Sequence, residues 1–311
     1  MERVPYDEFS MFHENAEEFG IPYPGPPTVR REAVEVDGPP NRRELSSLVW
    51  GDGPPELVLL HGGAQNAHTW DTVALALDRP LLAIDLPGHG HSDGGRQGSF
   101  GLDDNAADIA TVIRALAPDT RAVVGMSLGG ITALALAAGH PDVVPALVLV
   151  DVTPGVTQGK ASAISAFING PESFPSFDEI LARTVEFNPT RSVASLRRGI
   201  LHNAEQRPDG SWVWRYQRFR ALEPGSTSPP PDFGAGWSAV DELAGRGSPL
   251  MLVRGMTAQS VVDDADEAEL LRRYPTARVE HVADAGHSIQ GDKPAELAAL
   301  FADFIDSLGD P

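Results

Sequence analysis

Residues 122–130, Ala-Val-Val-Gly-Met-Ser-Leu-Gly-Gly, decide the fold. Three β-prone apolar residues run into Gly125-Met126-Ser127-Leu128-Gly129. A helical run then extends from Leu128 to Ala138, ending at Gly139 with Pro141 behind it. This strand–turn–helix context gives a G-x-S-x-G pattern mechanical meaning. So tight a turn needs small flanking residues, and it pushes the serine hydroxyl outward. The free amides at the start of the helix face any negative charge that develops there. Ser127 is therefore the candidate nucleophile. The bland alternative is a glycine-rich turn holding an incidental serine. The partners Ser127 needs elsewhere in the chain separate the two readings.

A serine hydroxyl attacks poorly until a base removes its proton. On a strand–turn–helix elbow the partners are expected downstream, acid before histidine. Ala285-Gly286-His287-Ser288 lies between the last strand and the last helix, so His287 is the expected base. His61, His89 and His91 precede Ser127 and are expected to hydrogen-bond their own loops. His281 falls in or at the end of a strand. For the acid two sites compete. Asp151 ends the strand Ala-Leu-Val-Leu-Val-Asp, directly after the nucleophile unit. Asp263 and Asp264 follow Leu-Met-Leu-Val-Arg-Gly, the commoner location. There, however, the usual position reads Ala258-Gln259-Ser260 without a carboxylate, and helix capping suffices to explain Asp263 and Asp264. Asp151 is favoured, with Asp263 or Asp264 as the alternative. A tetrahedral oxyanion needs two aimed donors. The expected pair is the Leu128 amide and the Gly63 amide in His61-Gly62-Gly63, where glycine lets the backbone approach substrate closely.

Outward from the elbow the strand–helix rhythm repeats. Strands are expected at Arg30–Val36, Leu45–Trp50, Leu57–Leu60, Leu81–Asp85, Ala122–Gly125, Ala146–Asp151, Leu250–Arg254 and Arg278–Val282. Runs such as Leu-Val-Leu-Leu are apolar without alternation, as in strands buried on both faces, which implies a mostly parallel sheet with helices on both faces. Asp103 or Asp104, the pair Asp264 and Glu267, and Asp292 are the expected starts of later helices. Residues 153–237 break the rhythm. Helical patterns at 160–168, 177–187 and 193–205 lead into Trp-Val-Trp-Arg-Tyr-Gln-Arg-Phe-Arg and a Pro/Gly-rich return loop. The expected organisation is an N-terminal extension over 1–28, a core over 29–152 and 238–311, and a helical cap inserted over 153–237. The extension carries six acids and one base. Its apolar positions Phe9, Met11, Phe12, Ala16 and Phe19 suit either a helix packed on the body or a loose tail.

Composition narrows the function classes. The 311 residues include 44 acidic and 24 basic side chains, a formal net charge of −20. That balance opposes nucleic-acid binding, which needs a basic footprint, and adsorption to anionic membranes. The absence of cysteine excludes disulfides, a thiolate nucleophile and cysteine–zinc sites. No apolar run approaches the roughly 20 residues a bilayer span requires. The N-terminus lacks a basic region leading into an apolar run, so a cytoplasmic monomer or homodimer without membrane insertion is expected.

The set Leu-Leu-His-Gly-Gly-Ala-Gln-Asn-Ala-His-Thr-Trp, Ala-Ile-Asp-Leu-Pro-Gly-His-Gly-His-Ser-Asp, Val-Val-Gly-Met-Ser-Leu-Gly-Gly, Leu-Val-Asp-Val-Thr-Pro-Gly and Ala-Gly-His-Ser resembles the α/β-hydrolase superfamily in order and spacing. The resemblance covers about residues 45–155 and 245–305. The chain is also similar to actinobacterial, including mycobacterial, serine esterases, as far as Ser-Leu-Arg-Arg-Gly-Ile-Leu-His-Asn and Ser-Trp-Val-Trp-Arg-Tyr in the inserted segment. In those enzymes the acid follows the strand after the nucleophile helix, which matches Asp151. The resemblance implies a Ser127–His287–Asp151 triad, an oxyanion hole at Gly63 and Leu128, and hydrolysis of small to medium acyl esters through an acyl-enzyme. Neither cofactor nor metal is required. The substrate is expected between core and insertion, near Gly62, Phe167, Phe177 and Trp214, with Phe174 and Trp212 as further aromatic candidates. Arg215, Arg218 and Arg220 are expected in water or paired with surface acids. Rival readings are lactone opening or carbon–carbon bond hydrolysis by the same triad, and a ligand-binding scaffold on a hydrolase fold. Ser288 and Ile289 stand where carbon–carbon hydrolases usually carry tryptophan, and Ser127 replaces the aspartate of epoxide hydrolases and haloalkane dehalogenases.

Overall fold

A strand buried on both faces must send alternate side chains into two separate cores, and the short apolar runs do this. The computed structural model describes residues 4–37, 42–95, 101–217 and 236–309. In chain order the strands are β1 (Val29–Val36), β2 (Arg43–Trp50), β3 (Leu57–Leu60), β4 (Leu81–Ile84), β5 (Ala122–Met126), β6 (Leu147–Val150), β7 (Ser173–Phe174), β8 (Ala204–Gln206), β9 (Trp212–Trp214), β10 (Leu250–Gly255) and β11 (Arg278–Val282). Eight form one sheet in the order β1-β2-β4-β3-β5-β6-β10-β11. The pairs β1–β2 and β2–β4 are antiparallel, and every pairing from β4 to β11 is parallel.

In β3, Val58 and Leu60 enter one core while Leu57 and Leu59 enter the other, and all four are fully buried. Burying each leucine contributes about 1.5–3 kcal/mol. Truncating one, as in Leu59→Ala, costs about 2–5 kcal/mol because a cavity is added to the lost transfer energy. Helices α3 (Leu102–Leu116), α4 (Leu128–Gly139), α8 (Gly236–Arg246) and α9 (Asp264–Arg273) cover the first core. Helices α1 (Phe12–Phe19), α2 (Asp71–Leu77) and α11 (Pro294–Ser307) cover the second.

Several helix starts differ from the sequence expectation. Gly101 stands at the N-cap of α3, and Asp103 and Asp104 occupy its first turn, where they complement the helix dipole. The capping box of α9 is Asp263 with Asp266, one residue before the expected Asp264 and Glu267. Asp292 does not cap α11. Its Oδ2 accepts from Gly286 N at 2.9 Å, and Pro294 begins that helix.

The N-terminal segment packs on the body. Phe12 is 2% exposed and sits edge-on to Trp50 with ring centroids 5.0 Å apart. Gly20 ends α1 in the left-handed conformation at φ 64°, which glycine adopts without a Cβ clash. Glu8 lies between Arg31 and His68, and His68 Nδ1 donates to Asp71 Oδ2 at 2.8 Å. Burial alone would lower the His68 pKa, but the Asp71 and Glu8 carboxylates at its two nitrogens outweigh it and raise it to about 9. Desolvation would raise that of Glu8, yet hydrogen bonds from His68 and Arg31 hold it at about 2.

Between β6 and β10 the chain leaves the large sheet. It forms α5 (Ser162–Ile168), α6 (Phe177–Phe187), α7 (Val193–Asn203) and a small sheet ordered β7-β9-β8. Ser176 caps α6 by accepting from Glu179 N, as its sequence suggests. The small sheet is a departure: Trp212–Trp214, expected only as an aromatic-basic run, is its central strand. Phe174, Ile180, Leu201 and Trp212 fill a separate small core there. Tyr6 OH bonds His202 Nδ1 at 2.9 Å, and Glu18 pairs with Arg198, so the N-terminal segment also holds α7. Arg218, Arg220 and residues 222–235 of the expected return loop lie outside the described residues.

Candidate active site

The turn between β5 and α4 is built by close backbone approach. A Cβ on Gly125 would lie 2.4 Å from Gly129 O, and one on Gly129 would lie 2.3 Å from Leu60 O. Neither position has room for a side chain. Between them Ser127 is held at φ 52°, ψ −118°. A non-glycine residue there carries about 1–3 kcal/mol of strain, sustained by the surrounding packing. Gly130 N and Ile131 N both donate to Ser127 O, fixing the turn from the helix side.

His287 lies in the loop between β11 and α10 (Ile289–Asp292). Its Nδ1 contacts Asp151 Oδ2 at 2.9 Å. Asp151 immediately follows β6 and is fully buried. Three more donors converge on its carboxylate: Gly255 N at 3.0 Å, Ser260 Oγ at 2.6 Å and Val261 N at 3.0 Å. A carboxylate only accepts, so Nδ1 carries the proton and neutral His287 keeps its lone pair on Nε2. That Nε2 is buried and has no hydrogen-bond partner among the described residues.

Ser127 and His287 line one cavity of about 440 Å³. Gly62 and Gly63 form part of its wall, as do Ile164, Phe167 and Phe187 from the inserted segment. In the loop after β3, Gly62 N donates to Gln65 Oε1 at 3.1 Å and Ala64 N to His89 Nε2 at 3.2 Å. The Gly63 amide lies between these two committed ones and makes no hydrogen bond among the described residues. Leu128 N, in the first turn of α4, has no carbonyl four residues back within its helix.

Two histidines upstream of Ser127 support this loop. His61 Nδ1 donates to Gly62 O at 2.7 Å, and its Nε2 accepts from Leu86 N at 2.9 Å. His89 donates through Nδ1 to Pro87 O at 3.1 Å. Burial lowers the pKa of both, that of His89 to about 3, so each is neutral and able to accept through Nε2. The backbone N of His91 donates to Asp85 Oδ2, and His281 pairs with Glu267.

Asp263 is engaged elsewhere: it accepts from Ala265 N and Asp266 N and pairs with Lys160 at 2.7 Å. Asp264 pairs with Arg254 at 2.8 Å. Of the aromatic candidates, Phe167 lines the Ser127 cavity, and Trp214 lines the neighbouring one with ring centroids 5.7 Å from Phe167. Phe177 stands apart from both, packed edge-on to Trp212 at 5.0 Å. Its place in α6 turns it into the small core with Phe174 and Trp212, a direction that helical periodicity alone does not reveal. Arg215 makes an ion pair with Glu205 at 3.5 Å. Sequence reasoning missed Ser260 and Val261, whose donors complete the Asp151 site. The missing carboxylate in Ala258-Gln259-Ser260 was the available signal.

One cluster has metal-ligand composition: His68, Asp71 and His202, all buried. Its geometry is that of an ion network. The two imidazoles stack at 3.8 Å and 14°, so their lone pairs do not converge, and Arg31 Nη2 stands 3.4 Å from His68 Nε2.

An alpha/beta hydrolase fold family model matches residues 55–294. The chain belongs to the α/β-hydrolase fold family. It is 42% identical over 308 residues to the esterase Rv0045c of Mycobacterium tuberculosis, covering 97% of this chain and 96% of that one. A crystal structure of that esterase superposes with a TM-score of 0.80 at 42% identity, covering 98% of this chain and all of the other. More distantly, the chain is 27% identical to the sn-1-specific diacylglycerol lipase ABHD11 of Mus musculus, covering 83% and 84% of the two chains. No helix among the described residues is long and apolar enough to cross a membrane.

Proposed function

We propose that this α/β-hydrolase is a serine carboxylic ester hydrolase for small to medium acyl esters, with Ser127 as nucleophile, His287 as general base and Asp151 as the orienting acid. One observation carries the reading. His287 is anchored through Nδ1 to the buried Asp151, its Nε2 has no partner among the described residues, and His287 and Ser127 line the same cavity. The 42% identity to a mycobacterial esterase along nearly the whole chain supports the same reaction class.

The chemistry follows from these positions. Ser127 Oγ attacks the ester carbonyl carbon as His287 Nε2 takes the hydroxyl proton. The carbonyl oxygen becomes an oxyanion and accepts from Leu128 N and Gly63 N, each donor worth about 10²–10³ in rate. Asp151 stabilises the imidazolium and holds its tautomer. Collapse breaks the bond to the alcohol oxygen, which departs with the proton from Nε2. Water then enters, gives a proton to the same Nε2 and attacks the acyl-enzyme. The second tetrahedral species releases the acid and returns the proton to Ser127. None of these steps calls on a metal or cofactor. The substrate is a small-molecule ester held between the core and residues 153–237 acting as a cap, with Ile164, Phe167 and Phe187 against its apolar part.

The test is labelling by a fluorophosphonate together with hydrolysis of p-nitrophenyl esters from acetate to decanoate. The expected result is labelling and turnover by the wild-type protein, both lost in Ser127→Ala. Folded wild-type protein that neither labels nor turns over any ester refutes the reading and leaves a binding scaffold.

A further inference from the structure

One cation on the wall of the Ser127 cavity makes no ion pair among the described residues. Arg191 lies between α6 and α7 and lines the cavity beside Asn188 and Thr190. Its Nη2 donates to Ser195 Oγ at 2.5 Å, a neutral partner. Among the described residues no carboxylate comes within ion-pair distance of it. Two nearby charges are already committed. Lys160, also on the cavity wall, is held by Asp263 at 2.7 Å and Asp266 at 2.6 Å. Glu18 is taken by Arg198 and Ser192. Asp292 shares the wall and favours the charged guanidinium from beyond ion-pair distance, while its Oδ2 accepts from Gly286 N.

The guanidinium rests directly on the turn that follows His287: a Cβ at Gly291 would lie 1.8 Å from Arg191 Nη1. Burial pushes the Arg191 pKa down, with Asp292 and Glu18 opposing the shift, but a guanidinium stays charged at any working pH. In a chain of net charge −20 whose other cavity cation is paired twice, an arginine without an ion pair on the wall of the nucleophile's cavity is costly without a ligand. Guanidinium geometry matches a carboxylate.

We propose that Arg191 recognises a carboxylate carried by the ester itself, so that the preferred substrates are anionic esters. The proposal rests on the esterase reading and narrows its substrate class. The carboxylate is on the acyl half, as in a dicarboxylic half-ester, or on the alcohol half, as in an ester of a hydroxy acid.

Two matched pairs distinguish these sources in a pH-stat assay. The acyl arm compares monoethyl glutarate with its 4-carbamoyl analogue. The alcohol arm compares carboxymethyl butyrate with carbamoylmethyl butyrate. In one arm the wild-type protein favours the anion in kcat/KM. Arg191→Gln lowers that anion-to-amide ratio about tenfold to a hundredfold, and Arg191→Lys restores part of it. A ratio unchanged by Arg191→Gln in both arms overturns the proposal. Calorimetry on the wild-type protein covers the case in which the variants do not fold. Glutarate binding at least tenfold tighter than glutaramide supports the site, and equal binding overturns it. If no ester of either charge is hydrolysed, the esterase reading fails by itself, and the calorimetric comparison still decides whether the anion site exists.

Discussion

Replacing Asp151 by asparagine tests the candidate site most directly, because every acceptor position of that carboxylate is occupied. Oδ1 accepts from Gly255 N and Ser260 Oγ, and Oδ2 from Val261 N and His287 Nδ1. An amide has one acceptor oxygen, and the NH₂ must face one of these pairs. Turned toward Oδ1, it opposes the Gly255 N–H, while the Ser260 hydroxyl rotates to accept. Turned toward Oδ2, it opposes the Val261 N–H and drives His287 to the tautomer with a proton on Nε2. Either orientation leaves one buried backbone donor unsatisfied, a loss of about 1–3 kcal/mol. For a chain of this length that lowers Tm by roughly 2–4 °C per kcal/mol. The second orientation also removes the base, and both remove the negative charge behind the imidazolium. The expected fall in kcat is about 10⁴-fold, or about 5.5 kcal/mol of barrier. Asp263→Asn is the control, since asparagine caps a helix as well as aspartate does and Asp263 contacts only the α9 amides and Lys160. Its kcat is expected within about twofold of wild type. Stopped-flow hydrolysis of p-nitrophenyl butyrate and thermal melts on both variants provide the readouts. Asp151→Asn keeping more than about a tenth of wild-type kcat, or Asp263→Asn losing as much, refutes the reasoning.

Three other outcomes follow from the same geometry. Ser127→Gly removes the side chain from a backbone at φ 52°, so Tm rises while fluorophosphonate labelling disappears; an unchanged or lower Tm contradicts the strain. Gly129→Ala places a Cβ 2.3 Å from Leu60 O, and a loss of about 1–3 kcal/mol with collapse of kcat is expected in denaturant melts and ester assays. The His68 contribution is fully present below its unfolded pKa of 6.5 and is lost as pH rises through about 9, whereas that of Glu8 is present above 4.5 and lost as pH falls through about 2. The Tm difference between wild type and His68→Gln should therefore shrink between pH 6.5 and pH 10; a constant difference opposes the ion network.

Most of the large sheet was legible because each strand's apolar run is local and β3, β4, β5 and β6 are buried on both faces. The elbow was legible because steric contact dictates its glycines. What escaped depends on distant pairing. Strand β7 is only two residues long and pairs with β9 across α6 and α7, while β8 and β9 form a hairpin of just three residues a side. The N-terminal segment carries an apolar stripe suited to packing, but its partners, among them Trp50, His68 and Arg198, lie far along the chain. Phe177 and Phe167 look alike as sequence. One fills a small core and the other lines the cavity, a difference set by helix orientation. Arg191 carries no sequence signal, since its significance is the absence of a partner in space.

The four donors around Asp151 tie this carboxylate to loops that follow other strands. The carboxylate and the loop after β10 fit as plug and socket, contributed by separate strands. Moving the acid to position 260 first would set two carboxylates where a 2.6 Å hydrogen bond now stands. Removing Asp151 first would strand Gly255 N, Val261 N and His287 without an acceptor. Both single-substitution routes pass through a crippled intermediate. The carboxylate and its socket are therefore exchangeable only together.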